Sequence, residues 1–278
     1  MFKILQKRPL NDSVTLMEFE APAIAKKAKA GQFIILRVDE RGERIHLTIA
    51  DYDAERGTVT IIYQIVGATT MLLDQLQQGE SIADLVGPLG KPTHIGPNVK
   101  RACVVGGGVG CAIAYPQAKA LFNMGAHVDM IAGFRNKDII ILEDEMRAVS
   151  SRLFITTDDG SNGHKGFVTD VLKSLLEKGE KYDAVIAIGP LPMMKAVCAV
   201  TDNPRIKTIV SMNPIMIDGT GMCGGCRVVV GGEVKFACVD GPDFDGHLVD
   251  FDSARQRLAM YKEEESHACR LRGQIRDA

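Results

Sequence analysis

The sequence predicts an antiparallel β-barrel, then an α/β domain with a parallel sheet, then a small loop domain rich in glycine and cysteine. Three observations predict this order. Short runs of β-branched and aromatic residues, separated by turn residues, fill residues 1–98. A strand, a glycine turn, a helix and a second strand begin at Arg101. Three cysteines and several glycines crowd into residues 219–238. The fold class is therefore β-barrel plus α/β.

Domain boundaries follow from the places where the pattern changes. We expect a barrel at residues 1–98, an α/β domain at 99–212, a cysteine-loop domain at 213–250, and a C-terminal helix and tail at 251–278. A chain of 278 residues has room for about two ordinary domains. Since 46% of its residues are hydrophobic, it can bury a sizeable core in each.

Composition and charge argue against several classes of function. The formal net charge of −2 gives no electrostatic reason to expect nucleic acid or an anionic membrane as a partner. The N-terminus lacks the apolar core of a signal peptide, and no apolar run approaches the ~18 residues of a membrane span. Seven cysteines without an export signal fit reduced thiols and a metal site better than a disulfide framework. We therefore expect a cytoplasmic protein.

The barrel is predicted from short strands that alternate in hydrophobicity. Such strands are predicted at residues 14–20, 32–38, 46–50 and 58–66, with closure near 82–86. One helix interrupts them at residues 69–76, where leucines share a face. Thr69 or Thr70 is its predicted N-cap, because a hydroxyl can accept a hydrogen bond from the first turn.

A nucleotide site is predicted where the α/β domain begins. A buried strand leads into a glycine turn, and a helix follows at about residues 111–123. Such a turn lets the backbone approach a pyrophosphate at the helix N-terminus. The turn is not a full G-x-G-x-x-G motif, so a tight turn without a ligand is the alternative. The candidate contacts are Gly106, Gly107, Gly108, Val109 and Gly110.

Further nucleotide contacts are predicted after later strands, because an open α/β sheet binds its ligand at the carboxyl ends of its strands. These candidates are Arg135, Asp158, Asp159, Gly189 and Pro190. The carboxylates of Asp158 and Asp159 would repel a 2′-phosphate, which favours NAD(H) over NADP(H). Arg135 is the residue that could instead bind such a phosphate.

The glycine-rich loop near the C-terminus predicts a metal site. Its spacing, D-x4-C-x2-C-x11-C, runs from Asp218 through Cys223 and Cys226 to Cys238. With cysteine in first place this would be close to the spacing of plant-type [2Fe–2S] proteins. We favour a [2Fe–2S] cluster with Asp218 as fourth ligand. A structural zinc site, a disulfide and inert buried thiols are alternatives, and Asp218 could instead cap the loop.

Two barrel segments resemble flavin-binding segments of the ferredoxin reductase superfamily. Residues 44–48, Arg-Ile-His-Leu-Thr, resemble its Arg-x-Tyr-Ser/Thr strand, where the arginine holds the flavin pyrophosphate, although the spacing here is one residue longer. Residues 62–64 and 67–70 resemble the strand and helix start that bind flavin and its phosphates. The resemblance implies FAD contacts at Arg44, His46, Leu47, Thr48, Ile62, Tyr63, Gln64, Thr69 and Thr70.

The order of barrel, nucleotide sheet and cysteine loop resembles one subfamily, which includes the electron-transfer subunit of dihydroorotate dehydrogenase. The loop at residues 214–224, with aspartate in place of the first cysteine, looks like the small subunits of NADH-dependent reduced ferredoxin:NADP+ oxidoreductases. Matching segments, which extend the similarity over nearly the whole chain, lie at residues 31–33, 87–92, 133–135 and 236–242.

This second resemblance implies an oxidoreductase subunit that binds FAD, one [2Fe–2S] cluster and NAD(H) in a heterodimer. The large partner would carry a second FAD, two [4Fe–4S] clusters and the NADP(H) site, and would bifurcate electrons. Ferredoxin would be reached only through that partner. A flavin exchanges both hydride and single electrons, so no catalytic acid, base or nucleophile is required, and the sequence suggests none.

Two other functions remain open at this point. The electron-transfer subunit of dihydroorotate dehydrogenase would share the fold but have a different partner and a cysteine as first ligand. A nucleotide-binding regulator with a structural zinc would keep the fold without electron transfer. A visible spectrum separates a coloured electron carrier from a colourless zinc protein.

Overall fold

A computed structural model of the chain describes residues 1–203, 205–261 and 263–267. Within these residues the strands form a seven-stranded antiparallel sheet that is nearly closed as a barrel, a six-stranded and mostly parallel sheet, and a two-stranded hairpin. The predicted fold class is confirmed. Residues 268–278 of the predicted C-terminal tail, which include Cys269, lie outside the described residues.

The barrel occupies the first part of the chain. Its strands are β1 (Phe2–Asn11), β2 (Val14–Glu20), β3 (Phe33–Arg37), β4 (Ile45–Asp53), β5 (Thr58–Gln64), β6 (Ser81–Ile82) and β7 (Asp84–Leu89). Their order across the sheet is β6-β1-β2-β5-β4-β3-β7. Because side chains alternate along a strand, Ile61 and Tyr63 of β5 fill the barrel core, whereas Ile62 packs toward the α/β domain.

Two helices belong to the barrel, α1 (Pro22–Ala25) and α2 (Ala68–Gln75). Helix α2 begins one residue earlier than predicted, and its N-cap is Gly67, whose backbone is extended. The prediction that Thr69 or Thr70 is the N-cap is therefore wrong, because both residues already have helical backbone. Thr70 still caps the helix from its first turn, since its hydroxyl accepts a hydrogen bond from the Gly67 N–H at 3.0 Å.

The α/β domain alternates strands and helices as predicted. Its strands are β8 (Arg101–Gly107), β9 (His127–Phe134), β10 (Arg152–Thr157), β11 (Ala184–Ile188) and β12 (Thr208–Ser211). Its helices are α3 (Gly110–Asn123), α4 (Glu143–Ala148), α5 (Val168–Glu177) and α6 (Leu191–Asp202). All five strands are parallel. Their carboxyl ends therefore meet at one edge, where the predicted nucleotide contacts lie.

The opposite edge of this sheet holds a buried ionic network. The Asp129 side chain is fully buried and accepts hydrogen bonds from Arg152 Nε at 2.7 Å and from the Tyr182 hydroxyl at 2.7 Å. Arg101 and Arg152 both also contact Glu180. Burial is the largest influence and raises the Asp129 pKa, but the hydrogen bonds from Arg152 and Tyr182 and the charge of Arg152 together outweigh it, so the pKa lies below its usual value.

The cysteine-loop region contributes a hairpin and one strand to the sheet beside it. The hairpin consists of β13 (Arg227–Val230) and β14 (Glu233–Phe236), joined by Gly231 and Gly232, which both have positive φ. Strand β15 (Asp243–Asp245) then pairs antiparallel with β12 and extends the parallel sheet to six strands. Helix α7 (Phe251–Leu258) follows, and helical geometry resumes at residues 263–267. The predicted domain boundaries stay a prediction.

Candidate functional site

The glycine turn between β8 and α3 is a close-packed cradle. Gly108 has φ +56°, which favours glycine, and a Cβ on Gly110 would lie 2.5 Å from the Ile188 carbonyl oxygen. A Cβ on Gly107 would collide with Met193. The turn therefore needs its glycines, and it brings the start of the fourteen-residue helix α3 to the sheet edge, where the N–H groups of Cys111 and Ala112 already donate to the carbonyl oxygens of Gly108 and Val109.

The structure brings the later nucleotide candidates to the same edge. Gly189, beside Pro190, packs directly against Gly107, since a Cβ on Gly189 would lie 3.2 Å from the Gly107 Cα. The Asp159 N–H donates to the Arg135 carbonyl oxygen at 3.3 Å, so the loops after β9 and β10 are adjacent. Hydrogen bonds from Ser161 hold the pKa of Asp159 below its usual value.

The same edge therefore presents both an exposed arginine and exposed carboxylates. Asp158 lies beside Asp159, and both are exposed, as is Arg135. A carboxylate repels a 2′-phosphate and a guanidinium attracts one, so the groups that favour NAD(H) and the group that could bind NADP(H) lie at the same exposed edge.

The predicted flavin contacts of the barrel divide into two groups. His46, Leu47 and Thr48 are partly exposed along β4, and Gln64 is partly exposed at the end of β5. Tyr63 differs, because it is 1% exposed within the barrel core and its hydroxyl donates to Asp74 at 3.3 Å. Its side chain therefore stabilises the barrel and does not face a site open to a cofactor.

The start of α2 already accommodates an anion. The Thr69 hydroxyl donates to a carboxylate oxygen of Glu43 at 2.9 Å, so Glu43 lies beside the positive end of the helix dipole. The Thr69 hydroxyl and the helix start can therefore bind an anionic oxygen, and a flavin phosphate placed here would have to displace Glu43, because two anions repel each other. Ile62, by contrast, is buried between the barrel and helix α3.

Arg44 and His46 contact the segment that leads into the cysteine loop. Arg44 Nε donates to the Ile217 carbonyl oxygen at 2.9 Å. His46 Nε2 lies 2.6 Å from Asn213 Oδ1, and burial lowers the His46 pKa more than its hydrogen bonds raise it. The structure thus places Arg44 against the cysteine loop, whereas the sequence resemblance implied a flavin pyrophosphate contact.

Two of the predicted metal ligands meet in the structure. The Sγ atoms of Cys226 and Cys238 are 3.2 Å apart, and both residues are buried. This separation exceeds the ~2.05 Å of a disulfide, and both thiols are free. Burial and then the neighbouring Cys226 raise the Cys238 pKa to about 12. Two buried thiols this close can both ionise only when a cation compensates them, which fits a metal site.

The other two predicted ligands lie on the exposed side of the loop. Cys223 is exposed, and its Sγ accepts the Gly225 N–H at 3.4 Å. Asp218 accepts the N–H groups of Thr220 at 2.8 Å and Cys223 at 2.6 Å, which lower its pKa. This is the loop-capping geometry that the sequence offered as the alternative for Asp218.

The side chains of the four predicted cluster ligands do not converge on one point. In the described part of the chain, no three His, Cys, Asp or Glu side chains lie close enough together to hold a metal ion. The donor set still fits an iron–sulfur cluster, because two thiols are adjacent and two backbone N–H groups donate to sulfur, from Gly225 to Cys223 and from Cys238 to Cys226.

The cysteine loop packs directly on the barrel. One apolar core contains Phe33 and Ile35 of β3 together with Met216, Cys226 and Cys238. A Cβ on Gly219 would lie 2.7 Å from Leu89 Cδ1 and 2.8 Å from Ile35 Cδ1. The loop therefore rests on the same barrel face that is flanked by the predicted flavin strand β4.

Sequence reasoning missed several residues of this region. Glu43 at the α2 start and Asn213 opposite His46 had no motif to mark them. Arg257 donates to the Gly225 carbonyl oxygen at 3.1 Å, and it joins helix α7 to the CxxC segment. An arginine on a charged helix carries no local signal of such a contact, since its partner is distant in sequence.

Family models match the two regions that carry these sites. The iron-sulfur cluster binding domain of dihydroorotate dehydrogenase B matches residues 213–250. The oxidoreductase NAD-binding domain matches residues 104–199. The first range contains all four predicted cluster ligands, and the second contains every predicted nucleotide contact. The iron–sulfur and NAD(H) predictions are thus confirmed for the regions, while the individual ligands stay predictions.

Relatives extend this similarity to nearly the whole chain. A dihydroorotate dehydrogenase B (NAD(+)) electron transfer subunit homolog of Thermotoga maritima is 44% identical, covering 95% of this chain and 92% of the relative. The electron transfer subunit of that enzyme from Geobacillus thermodenitrificans is 34% identical over 87% of this chain and 94% of its own length.

A solved structure of similar length has the same fold. It comes from work on flavin-based electron bifurcation by the NADH-dependent reduced ferredoxin-NADP oxidoreductase. Its TM-score is 0.91 at 43% identity, over 97% of both chains. The predicted resemblance is therefore confirmed.

The predicted cofactor set of FAD, a [2Fe–2S] cluster and NAD(H) agrees with the two matched regions and with the ferredoxin-reductase-like fold. None of the helices in the described ranges has both the length and the apolar character needed to cross a bilayer. The chain belongs to the family of dihydroorotate dehydrogenase B electron transfer subunits and their homologues.

Proposed function

We propose that this chain is the electron-transfer subunit of a flavin-based bifurcating NADH-dependent ferredoxin:NADP+ oxidoreductase. In this role it passes electrons between NAD(H), FAD and a [2Fe–2S] cluster and exchanges them with a large partner subunit. We also propose a cytoplasmic location, since the free thiols of the cysteine loop require a reducing environment.

One observation carries the electron-transfer role: the cysteine loop is seated on the barrel face beside the predicted flavin strand. The core shared by Ile35, Met216 and Cys238 leaves no intervening domain between the two predicted cofactor sites. A regulator with a structural zinc would not need its metal loop packed against a flavin strand. An electron carrier does, because its two cofactors have to be held at a fixed separation.

Each proposed cofactor has residues with a distinct task. The α3 turn at 106–110 would hold the pyrophosphate of NAD(H) through backbone N–H groups. Leu47, Thr48 and the α2 start would hold FAD, which when bound supplies the conversion between hydride and single-electron transfer. The four proposed ligands that would hold the cluster are Cys223, Cys226, Cys238 and Asp218. The protein's share is to orient these groups and to exclude water from Cys226 and Cys238.

The exposed side of the loop suits the large partner. Cys223 is exposed beside Met222, which is 88% exposed, and Ile217, which is 51% exposed. Apolar side chains around the exposed ligand would be covered when a partner docks. This placement supports electron exchange with a second subunit at the Cys223 side, while the Cys226 side faces the barrel.

Anaerobic purification of the full chain with its natural partner tests this proposal. We expect a large flavin and [4Fe–4S] subunit to co-purify, and the complex to reduce NADP+ only when both NADH and reduced ferredoxin are supplied. Activity with NADH alone, or purification as a colourless zinc protein, would contradict the proposal.

The electron-transfer subunit of dihydroorotate dehydrogenase is the second candidate. The match of residues 213–250 and the relatives at 34% identity favour it. Asp218 favours the first candidate, because the four-cysteine pattern has a thiolate at that position. Co-purification with a dihydroorotate-oxidising flavoprotein in the same experiment would select the second candidate.

A further inference from the structure

Arg44 lies just before the predicted flavin strand and reaches across to the cysteine loop. Its Nε donates to the Ile217 carbonyl oxygen at 2.9 Å, and its Nη2 lies 3.5 Å from the Asp218 carbonyl oxygen. These two consecutive carbonyls belong to the peptide groups on either side of the Asp218 backbone. A planar guanidinium can bridge two such acceptors, whereas a lysine ammonium is a point charge on a flexible stem.

The same strand holds the other end of this loop segment. His46, two residues after Arg44, lies 2.6 Å from Asn213 Oδ1 and packs edge-on against Phe33, with ring centroids 6.2 Å apart. Residues 213–218 are therefore attached to the barrel at both ends. Since β4 is a paired strand within the barrel sheet, it provides a rigid support for both contacts.

The internal hydrogen bonds of the loop do not replace this attachment. Asp218 accepts the N–H groups of Thr220 and Cys223, and these bonds shape the loop from within. They leave the orientation of the loop relative to the barrel undetermined. The shared apolar core sets the separation, because Gly219 packs on Ile35, but apolar contacts are not directional. The Arg44 hydrogen bonds are directional and fix the backbone at the Asp218 position.

We propose that Arg44 is a positioning residue for the cluster site: its guanidinium clamps the Ile217 and Asp218 carbonyls and thereby sets the orientation of the Asp218 carboxylate. The proposal rests on the proposed function in one respect, the identity of the bound group. The clamp also brings a permanent positive charge close to the cluster site. A nearby cation stabilises the more negative, reduced form of a cluster, so Arg44 should raise its reduction potential.

Three variants of the full chain, prepared anaerobically, test this inference. Arg44→Gln removes both the positive charge and the planar guanidinium that bridges the two carbonyls. Arg44→Lys keeps the charge but cannot bridge them. Arg41→Gln is the matched control, because Arg41 is also an exposed arginine of the same loop, and its backbone N–H donates to Asp39 at 2.8 Å. Six quantities are measured: FAD per chain, iron per chain, the rate of cluster loss to a chelator, the EPR spectrum of the cluster, its midpoint potential, and amide hydrogen exchange at residues 213–223.

We expect Arg44→Gln to retain as much FAD as Arg41→Gln. Its cluster should be lost about three- to tenfold faster, since exposed hydrogen bonds to a charged group contribute modestly. Its EPR spectrum should change, its potential should fall, and the Thr220 and Cys223 amides should exchange faster. Arg44→Lys should keep a potential near that of the wild type but show the faster exchange. If Arg44→Gln does not fold, Arg44→Lys alone decides through its exchange rates.

Two results would overturn the inference. If Arg44→Gln loses FAD while its cluster and loop exchange match those of Arg41→Gln, Arg44 holds the flavin and not the loop. If all six quantities match those of the control, Arg44 positions nothing. Failure of the proposed function is distinguishable, because a wild-type chain that binds zinc or no metal would contradict that function while the exchange rates still test the clamp.

Discussion

Asp243 of strand β15 is a buried carboxyl whose replacement should make the protein more stable at neutral pH. Its Oδ2 accepts the Thr93 hydroxyl at 2.5 Å, and its Oδ1 is enclosed without a hydrogen-bond partner among the described residues. It borders a cavity of about 160 Å³ that His94, Lys207 and Asp245 also line. Burial raises the Asp243 pKa to about 6, despite hydrogen bonds that lower it.

The magnitude follows from the difference between the folded and unfolded states. Unfolded Asp243 would titrate near 3.8, whereas the folded protein holds its proton until about pH 6. Between these values the folded state binds more protons, so the free energy of unfolding falls as pH rises through this window. The difference corresponds to ~3 kcal/mol at pH 7 and above. Asp243→Asn should remove this loss, because an amide stays neutral and can still accept the Thr93 hydroxyl.

Denaturant unfolding at several pH values from 4 to 8 measures this effect. Relative to wild type, the Asp243→Asn protein should gain ~2.4 kcal/mol between pH 4 and pH 7.5, because part of the effect already lies below pH 4. Asp245→Asn is the matched control, since Asp245 lies on the same strand but is exposed. If the stability difference between wild type and Asp243→Asn stays constant across this range, Asp243 is ionised normally and the reasoning is refuted.

Three further predictions concern the sites and the sheet. Asp218→Cys should retain a [2Fe–2S] cluster with an altered EPR spectrum, whereas Asp218→Ala should lose iron; unaltered iron content and spectrum in Asp218→Ala would show that Asp218 is not a ligand. Stopped-flow reduction of the flavin should be faster with NADH than with NADPH, and Gly110→Ala should slow it with NADH, because a Cβ would lie 2.5 Å from the Ile188 carbonyl oxygen; equal rates with both nucleotides would count against NAD(H). Asp129→Asn should destabilise the fold by ~1–2 kcal/mol in denaturant unfolding, since Arg152 loses its buried carboxylate partner but keeps Glu180 and contact with solvent, and an unchanged midpoint would contradict that role.

Local patterns predicted much of the architecture. The alternating runs at residues 14–20 and 58–66 predicted two strands of the barrel, and the glycine turn before α3 predicted the nucleotide-binding edge. Each of these signals consists of residues that lie close together along the chain. Strand β15 was not predicted, because three residues containing two aspartates have no strand signature and pair only when the edge of β12 is available.

Contacts between distant segments could not be predicted in the same way. The resemblance to the Arg-x-Tyr-Ser/Thr strand implied a flavin pyrophosphate contact for Arg44, whereas its hydrogen-bond partners in the structure lie 173 and 174 residues later in the chain. Tyr63 looked like a flavin contact, yet the alternation of β5 sends it into the barrel core. The direction in which a strand residue points depends on register, and a one-residue difference moves a side chain to the other face.

The central claim is that this chain carries a flavin and an iron–sulfur cluster that exchange electrons within one subunit. Anaerobic titration of the purified chain with NADH, followed by its visible spectrum and by EPR, tests it most directly. We expect bleaching of flavin absorbance together with the EPR signal of a reduced [2Fe–2S] cluster. A colourless protein with bound zinc, or a flavin that NADH reduces while no cluster signal is obtained even with a stronger reductant, would contradict it.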